Sequence, residues 1–497
     1  MNILLSERPT ACCREAFRQI KNVQEQAECI VPDVFEDVSQ IVSAKAQILL
    51  KSKEITEHAV SIGAEAEISV LYISESMDRV RCMLFSKSFE ISFESPAIDP
   101  ENSAQIALSC LGVQARAVNP RKITAQLSIR AELSCWAEGS FSVPTAAVED
   151  EAEGLQLLPG REDCVLVAQL SEKSFVVNEQ LPLDAGTEAT ALCGVRAGLL
   201  YYDHQPIGSK ILLKGGAELS IAYETQDGCC PRFVEQCIPF SVLIDMPYED
   251  CFLGRVLLEP TALYADLGDA INGSRVIELE LHATAQVRFE RRETIGFLSD
   301  AYSTVCPVYI EESTTPICRS RSEEHLSANA SERVQVDRER GEIVSLFADI
   351  LSYAVREGKA ELSASLSMLL KAEDGTYGAQ QRLISFETPL PQPDGEIVGA
   401  RITALQAVRS GEEIVIDASA SFDYVESETA ELRFLSSIET DTENAFDAAS
   451  LPSLTIVRRG ERDLWTLAKL YHSSVEAIEK MERDHPMSNG LLLIPRA

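Results

Sequence analysis

The stretch "ITAQLSIRAEL", residues 123–133, alternates without a break. Ile123, Ala125, Leu127, Ile129, Ala131 and Leu133 are apolar, while Thr124, Gln126, Ser128, Arg130 and Glu132 are polar. A period of two puts successive side chains on opposite faces, so this is a strand with one dry face and one wet face. The same alternation returns from Ile277 to Phe289 and from Ile414 to Tyr424. Such strands suit antiparallel sheets solvated on one side.

Working outward, each alternating run is preceded by a shared core. Ala66-Glu67-Ile68-Ser69, Ala217-Glu218-Leu219-Ser220 and Ala360-Glu361-Leu362-Ser363 lie at intervals of 151 (217 − 66) and 143 (360 − 217). A second strand-like run follows each core: "SFEISFES" (88–95), "CIPFSVLIDMP" (237–247) and "LISFETPLP" (383–391). An internal repeat this long means tandem domains, not a solenoid. The expected fold is mainly β and multidomain. Three tandem β-rich domains, at 31–147, 165–300 and 318–436, follow an N-terminal segment, 1–30, read as partly helical. The acidic "VEDEAEG" (148–154) reads as a connection, and the charged run 319–342 separates the second domain from the third, its start open to a loop and its end to a helix or strand. Residues 437–453, acidic and poor in large apolar side chains, read as a flexible linker.

From Leu454 the texture changes. Residues 454–497 hold seven Lys/Arg and six Asp/Glu, net +1, so the preceding chain carries −35 of the total −34. "LTIVR" (454–458) is a short strand and Asp463 a helix cap. Leu464, Leu467, Ala468 and Tyr471 share a helical face. Ser473 and Glu476 have capping-box spacing before a second helix, and "LLLIP" (491–495) closes as a strand. The segment 454–497 is therefore expected to be a small β-α-α-β domain.

Val457, Gly460, Leu464-Trp465, Leu467-Ala468, Tyr471, Ser474-Val475 and Leu493-Ile494-Pro495 resemble the LysM module. "GERDLW" is one residue longer than that family's loop, with Glu461-Arg462 in place of Asp-Thr. The resemblance implies a ligand or partner site on two loops: Gly460, Glu461, Arg462, Asp463, Leu464 and Trp465, with Met487, Ser488, Asn489 and Gly490. The body, with "VNPRKITAQLSIRAEL" (118–133) before its alternating strand, resembles the SPOCS-domain proteins of spore-forming Firmicutes. That resemblance implies a cytoplasmic scaffold in spore-coat assembly on the mother-cell side of the forespore. Its LysM head would dock a morphogenetic protein such as an ATPase, and its β domains would bind partners or self-associate as a homo-oligomer. The alternative is binding of peptidoglycan, an N-acetylglucosamine polymer, at the wall or spore cortex.

Charge and motif content narrow the classes. A net charge of −34 repels phosphate backbones, which argues against nucleic acid. The start lacks a basic n-region followed by a long apolar run, and no stretch of about 18 apolar residues predicts a membrane span. The fourteen cysteines show no CxxC and no zinc-site spacing, so free buried thiols are expected, with no metal and no cofactor. There is no P-loop, HExxH or GxSxG. The six histidines (58, 204, 282, 325, 472, 485) are scattered. No catalytic residue is proposed, and a LysM-targeted enzyme is the weakest reading.

Overall fold

The computed structural model describes residues 2–148, 154–183, 189–226, 228–268, 275–336, 340–392, 395–447, 452–488 and 490–496. Its body is made of three copies of one six-stranded unit. A short strand β1 (Leu5–Glu7) comes first. The first unit then runs β2 (Thr10–Ile30), β3 (Val38–Thr56), β4 (Ala59–Ser74), β5 (Val80–Glu94), β6 (Ser103–Asn119) and β7 (Lys122–Phe141), followed by β8 (Pro144–Ala147). The second unit is β9 (Leu155–Pro182), β10 (Ala189–Ile207), β11 (Lys210–Thr225), β12 (Arg232–Asp245), β13 (Phe252–Leu267) and β14 (Val276–Ser303). The third is β15 (Val308–Gln335), β16 (Arg340–Arg356), β17 (Lys359–Ala372), β18 (Tyr377–Pro389), β19 (Glu396–Ser410) and β20 (Glu413–Thr440).

Within each unit the second, third and fourth strands form one antiparallel sheet, β3-β4-β5, β10-β11-β12 and β16-β17-β18. The first, last and fifth strands form the other, for example β2-β7-β6 and β15-β20-β19. The first two units share a continuous sheet, β13-β14-β9-β2-β7-β6, through the single pair Cys13–Val167. In every unit the alternating run is the middle strand of the second sheet, and the strand bearing the repeated tetrapeptide is the middle strand of the first. Their dry faces meet. In unit one Ile123, Leu127, Ile129 and Leu133 of β7 pack against Val60, Ile62, Ile68 and Val70 of β4 in one buried core. Each such aliphatic side chain, fully buried, contributes roughly 1.5–3 kcal/mol of transfer free energy.

The register corrects the repeat interval. The first hairpin turns at Thr56–Ala59, Ile207–Lys210 and Arg356–Lys359, offsets of 151 (210 − 59) and 149 (359 − 210). Irregularities at Leu50/Ser52, Tyr201/Asp203 and Ile350/Ser352 keep the same offsets, 151 (201 − 50) and 149 (350 − 201). The third tetrapeptide, Ala360–Ser363, therefore sits six residues nearer its turn than the other two (149 − 143). Six is even, so it keeps the same face and the same core.

Several sequence readings change. The segment 1–30 is not partly helical: Thr10–Ile30 is the first strand of unit one, paired with β7. Phe17, Val23 and Cys29 pack on the core, whereas Ile20, which a helical face would bury, is 37 % exposed. The start of the charged run 319–342 is not a loop: β15 carries residues 319–335 as an edge strand paired with β20, and residues 340–342 already belong to β16. Charged side chains on an edge discourage pairing with another chain. Units two and three extend past the expected ends 165–300 and 318–436, with β9 and β14 reaching Leu155 and Ser303 and β15 and β20 reaching Val308 and Thr440. Of the connection 148–154, residues 149–153 lie outside the described residues.

Those strand ends matter for assembly. The ends of β14 and β20, with Ile3 beside β1, meet in an apolar hub of Ile3, Leu298, Ala301, Leu435 and Ile438. On another face Val42 and Leu71 of unit one, Phe233 of unit two and Leu369 and Tyr377 of unit three share a second junction core. A third cluster, of Val143, Cys164, Ile295, Ile317 and Leu432, also spans the units, so among the described residues they are held to one another at three apolar centres.

Candidate functional site

The C-terminal head is β21 (Leu454–Arg458), α1 (Leu464–Leu470), α2 (Val475–Asp484) and β22 (Leu491–Pro495), with β21 and β22 antiparallel. Leu467, Ala468, Ile478, Leu492 and Ile494 form its core. Asp463 caps α1, its carboxylate accepting from the Thr466 N–H at 2.6 Å, and the Thr466 hydroxyl together with that N–H holds the carboxyl below its ordinary pKa. The cap of α2 is Ser474, not Ser473: its hydroxyl accepts from the Ala477 N–H at 3.1 Å. Ser473 is buried and donates instead to the carbonyl of Pro495, fastening the turn between the helices to β22.

The two loops named from the sequence lie side by side. The Arg459 N–H donates to the Gly490 carbonyl at 2.9 Å, and the Leu491 N–H to Ser488 at 3.4 Å. Gly460 and Gly490 both take left-handed backbone, φ +57° and +67°, which lets each loop turn tightly. Gly460, Glu461, Arg462, Asp463, Met487, Ser488 and Gly490 are exposed, and Leu464 is half-buried. Asn489 lies outside the described residues.

Trp465 parts company with this set. Its ring stands edge-on to Tyr302 of β14, centroids 4.8 Å apart, and its Nε1 donates to Asp300 Oδ2 at 2.8 Å. Lys469 Nζ donates to the same carboxylate at 2.7 Å. The Tyr302 hydroxyl donates to the Ser473 carbonyl at 2.8 Å, and burial with Asp300 nearby pushes its pKa up to about 12. The head is therefore seated on the end of β14, and its tryptophan is used in that seat.

The linker 437–453 differs from a free tether over its described part. Residues 437–440 belong to β20, and Thr442–Asn444 form a short 3-10 turn capped by Asp441. The Phe446 N–H donates to the Val305 carbonyl at 2.8 Å, and its ring lies 4.0 Å from that of His472. Burial, with Arg496 nearby, lowers the His472 pKa, so the ring is neutral at physiological pH. Asp300 and Tyr302 carry no signal in "FLSDAYS" that would mark them in advance. They lie just past the alternating run, where a strand reads as ended.

All fourteen cysteines are free, and burial raises the pKa of each one that is shifted, Cys135 and Cys164 to about 11. Among the described residues, no three His, Cys, Asp or Glu side chains converge as metal ligands, and no helix is long and apolar enough to cross a membrane. Set against known proteins, the chain finds no matching family model, no matching characterised protein and no matching solved structure.

Proposed function

We propose that this chain is a non-enzymatic, cytoplasmic scaffold of spore-envelope assembly. Its LysM-like head docks a morphogenetic partner protein, and its three β units present surfaces for partners or for a second copy. The reading rests on the residue resemblances above and on one observation. Trp465 is bonded to Asp300 and packed on Tyr302, so the head's exposed loops carry no free aromatic platform. What they offer is Glu461 and Arg462 on one loop and Met487 on the other, exposed charged and apolar side chains suited to protein.

A second reading is favoured by the bond from Arg459 to Gly490, which sets the two loops together as a sugar groove requires. Co-sedimentation with insoluble peptidoglycan separates the two. We expect the full chain to stay in the supernatant, with the head's fold verified by hydrogen-exchange protection at Ile478. Retention abolished by Gly490→Trp, in a variant whose Ile478 stays protected, would overturn docking in favour of glycan binding.

A further inference from the structure

We propose that an apolar tip on unit one of one copy seats in the open cleft between units one and two of a second copy. The tip is the loop 31–37, folded over the turn of the β6–β7 hairpin. It is tied down at both ends: the Val31 N–H donates to the Arg121 carbonyl and the Val38 N–H to that of Pro120, both at 2.9 Å. Arg121 Nη1 in turn donates to the carbonyls of Pro32 and Phe35 at 3.2 and 2.8 Å, and its guanidinium pairs with Asp37. Val31 is buried and Phe35 packs on the unit-one core, while Val34, Ile30 and Val118 stand 86 %, 75 % and 56 % exposed. One exposed apolar side chain needs no account, but three at one pinned tip present a surface already ordered for a partner. Glu36 pairs with Arg79 and Arg81, whereas Asp33, exposed beside Val34, pairs with no cation among the described residues.

The cleft, about 340 Å³, lies between β4 and β5 of unit one and β10 and β13 of unit two. Leu84, Phe85, Leu192, Val195, Leu263 and Ala265 make its walls mostly apolar, and Leu84 is 52 % exposed. β5 and β10 are the edge strands of their sheets, and neither pairs across the gap. Half-buried Arg196 lines it as its one cation and Glu67 as its one carboxylate. An apolar knob carrying Asp33 thus meets an apolar hollow carrying a guanidinium within reach of solvent, which is complementarity of shape and of charge. Tip and cleft are different surfaces, so the contact is heterologous and repeats from copy to copy unless a ring closes. A contact of this size lies at the low end of interface areas, so assembly is weak and grows with concentration. Copies of net charge −34 repel one another, so added salt favours it. The inference deepens the scaffold reading, in which the β units present a surface to a second copy, and names that surface.

The test is sedimentation velocity of the full chain from micromolar to millimolar concentration, at low and high salt. We expect species larger than the monomer to grow with concentration, and more so at high salt. Val34→Glu and Leu84→Glu, both at exposed positions, should leave Tm unchanged and each weaken assembly at least about tenfold, because a charge is placed in an apolar contact. Mixed one to one, the two variants should form a dimer and nothing larger, since one keeps its tip and the other its cleft. Should Val34→Glu disturb the loop and lower Tm, Ile30→Glu tests the same tip. A parent chain that stays monomeric throughout, assembly undiminished in either folded variant, or a mixture that behaves as the sum of its parts would each overturn the inference. A monomeric chain would leave docking through the head standing, because that reading is tested separately on peptidoglycan.

Discussion

The junctions between β units and the junction between head and body are built differently. Between units, glutamine side chains clasp backbone. Gln47 of β3 accepts from and donates to Ala197 of β10 at 2.9 and 3.2 Å, and Gln286 of β14 does the same to Ile106 of β6, both at 2.8 Å. Gln40 reaches Ala379 of unit three in the same way at 3.1 and 3.4 Å. A buried carboxylate, Glu132 of β7, holds Arg18 of its own unit at 2.9 Å and Arg255 of unit two at 3.0 Å. Between head and body, among the described residues, the bonds from β14 come from Asp300 and Tyr302. The first kind of junction is spread over whole strands and should fail only with the fold. The second is concentrated on the end of one strand and can open locally.

The largest effect belongs to the spread junctions. Glu132→Ala strips Arg18 and Arg255 of their shared buried carboxylate and should cost about 3–5 kcal/mol in urea unfolding. A loss below about 1 kcal/mol would show that Glu396, 2.8 Å from Arg18, carries the junction instead. Gln286→Leu leaves the N–H and carbonyl of Ile106 unmet, and about 2–4 kcal/mol should be lost in the same assay. Unfolding of unit one alone, as a separate early transition, would refute the spread character of the contact.

A pH series sharpens the comparison further. Glu259 of β13 is buried against unit one, accepting from the Leu108 N–H at 3.2 Å, and burial pushes its carboxyl up to about 8. The folded chain keeps a proton there that the unfolded chain gives up near 4.5. Stability should therefore fall as pH rises from about 5 to about 8 and level off above, by roughly 1–2 kcal/mol once local relaxation is allowed for. Glu259→Gln should remove that slope and be the more stable protein at pH 8. Parallel pH curves for the two proteins would place the carboxyl in water.

The smallest effect is at the head. Trp465→Phe loses the bond to Asp300 and should cost about 1–2 kcal/mol of docking. It should speed hydrogen exchange at the head–body contact while the body's urea midpoint stays fixed. A shift of both together would mean that head and body unfold as one.

How much of this was legible in the sequence follows from period. The runs at 123–133, 277–289 and 414–424 announced themselves because their dry faces meet a whole opposing sheet. Thr10–Ile30 did not: Phe17, Ile20 and Val23 are spaced as on a helix, and only the pairing with β7 decides that Ile20 faces out. The charged strand β15 read as a connection because an edge strand can be polar along much of its length. In the head, the helix cap at Asp463 was readable from local rules, and the two loops from the LysM resemblance. The seat of Trp465 was not, since its partner lies 165 residues away in sequence.

One feature of the units bears on how such a chain arises. The first and last strands of each unit are neighbours, β2 with β7, β9 with β14 and β15 with β20, so the chain enters and leaves each unit at the same place. A unit whose ends meet can be duplicated in line, and the copy closes on itself without rethreading its parent. Three copies then need only short connections, and each is free to diverge. That freedom is visible where Lys45 in the first copy, Arg196 in the second and Ser345 in the third occupy one equivalent position.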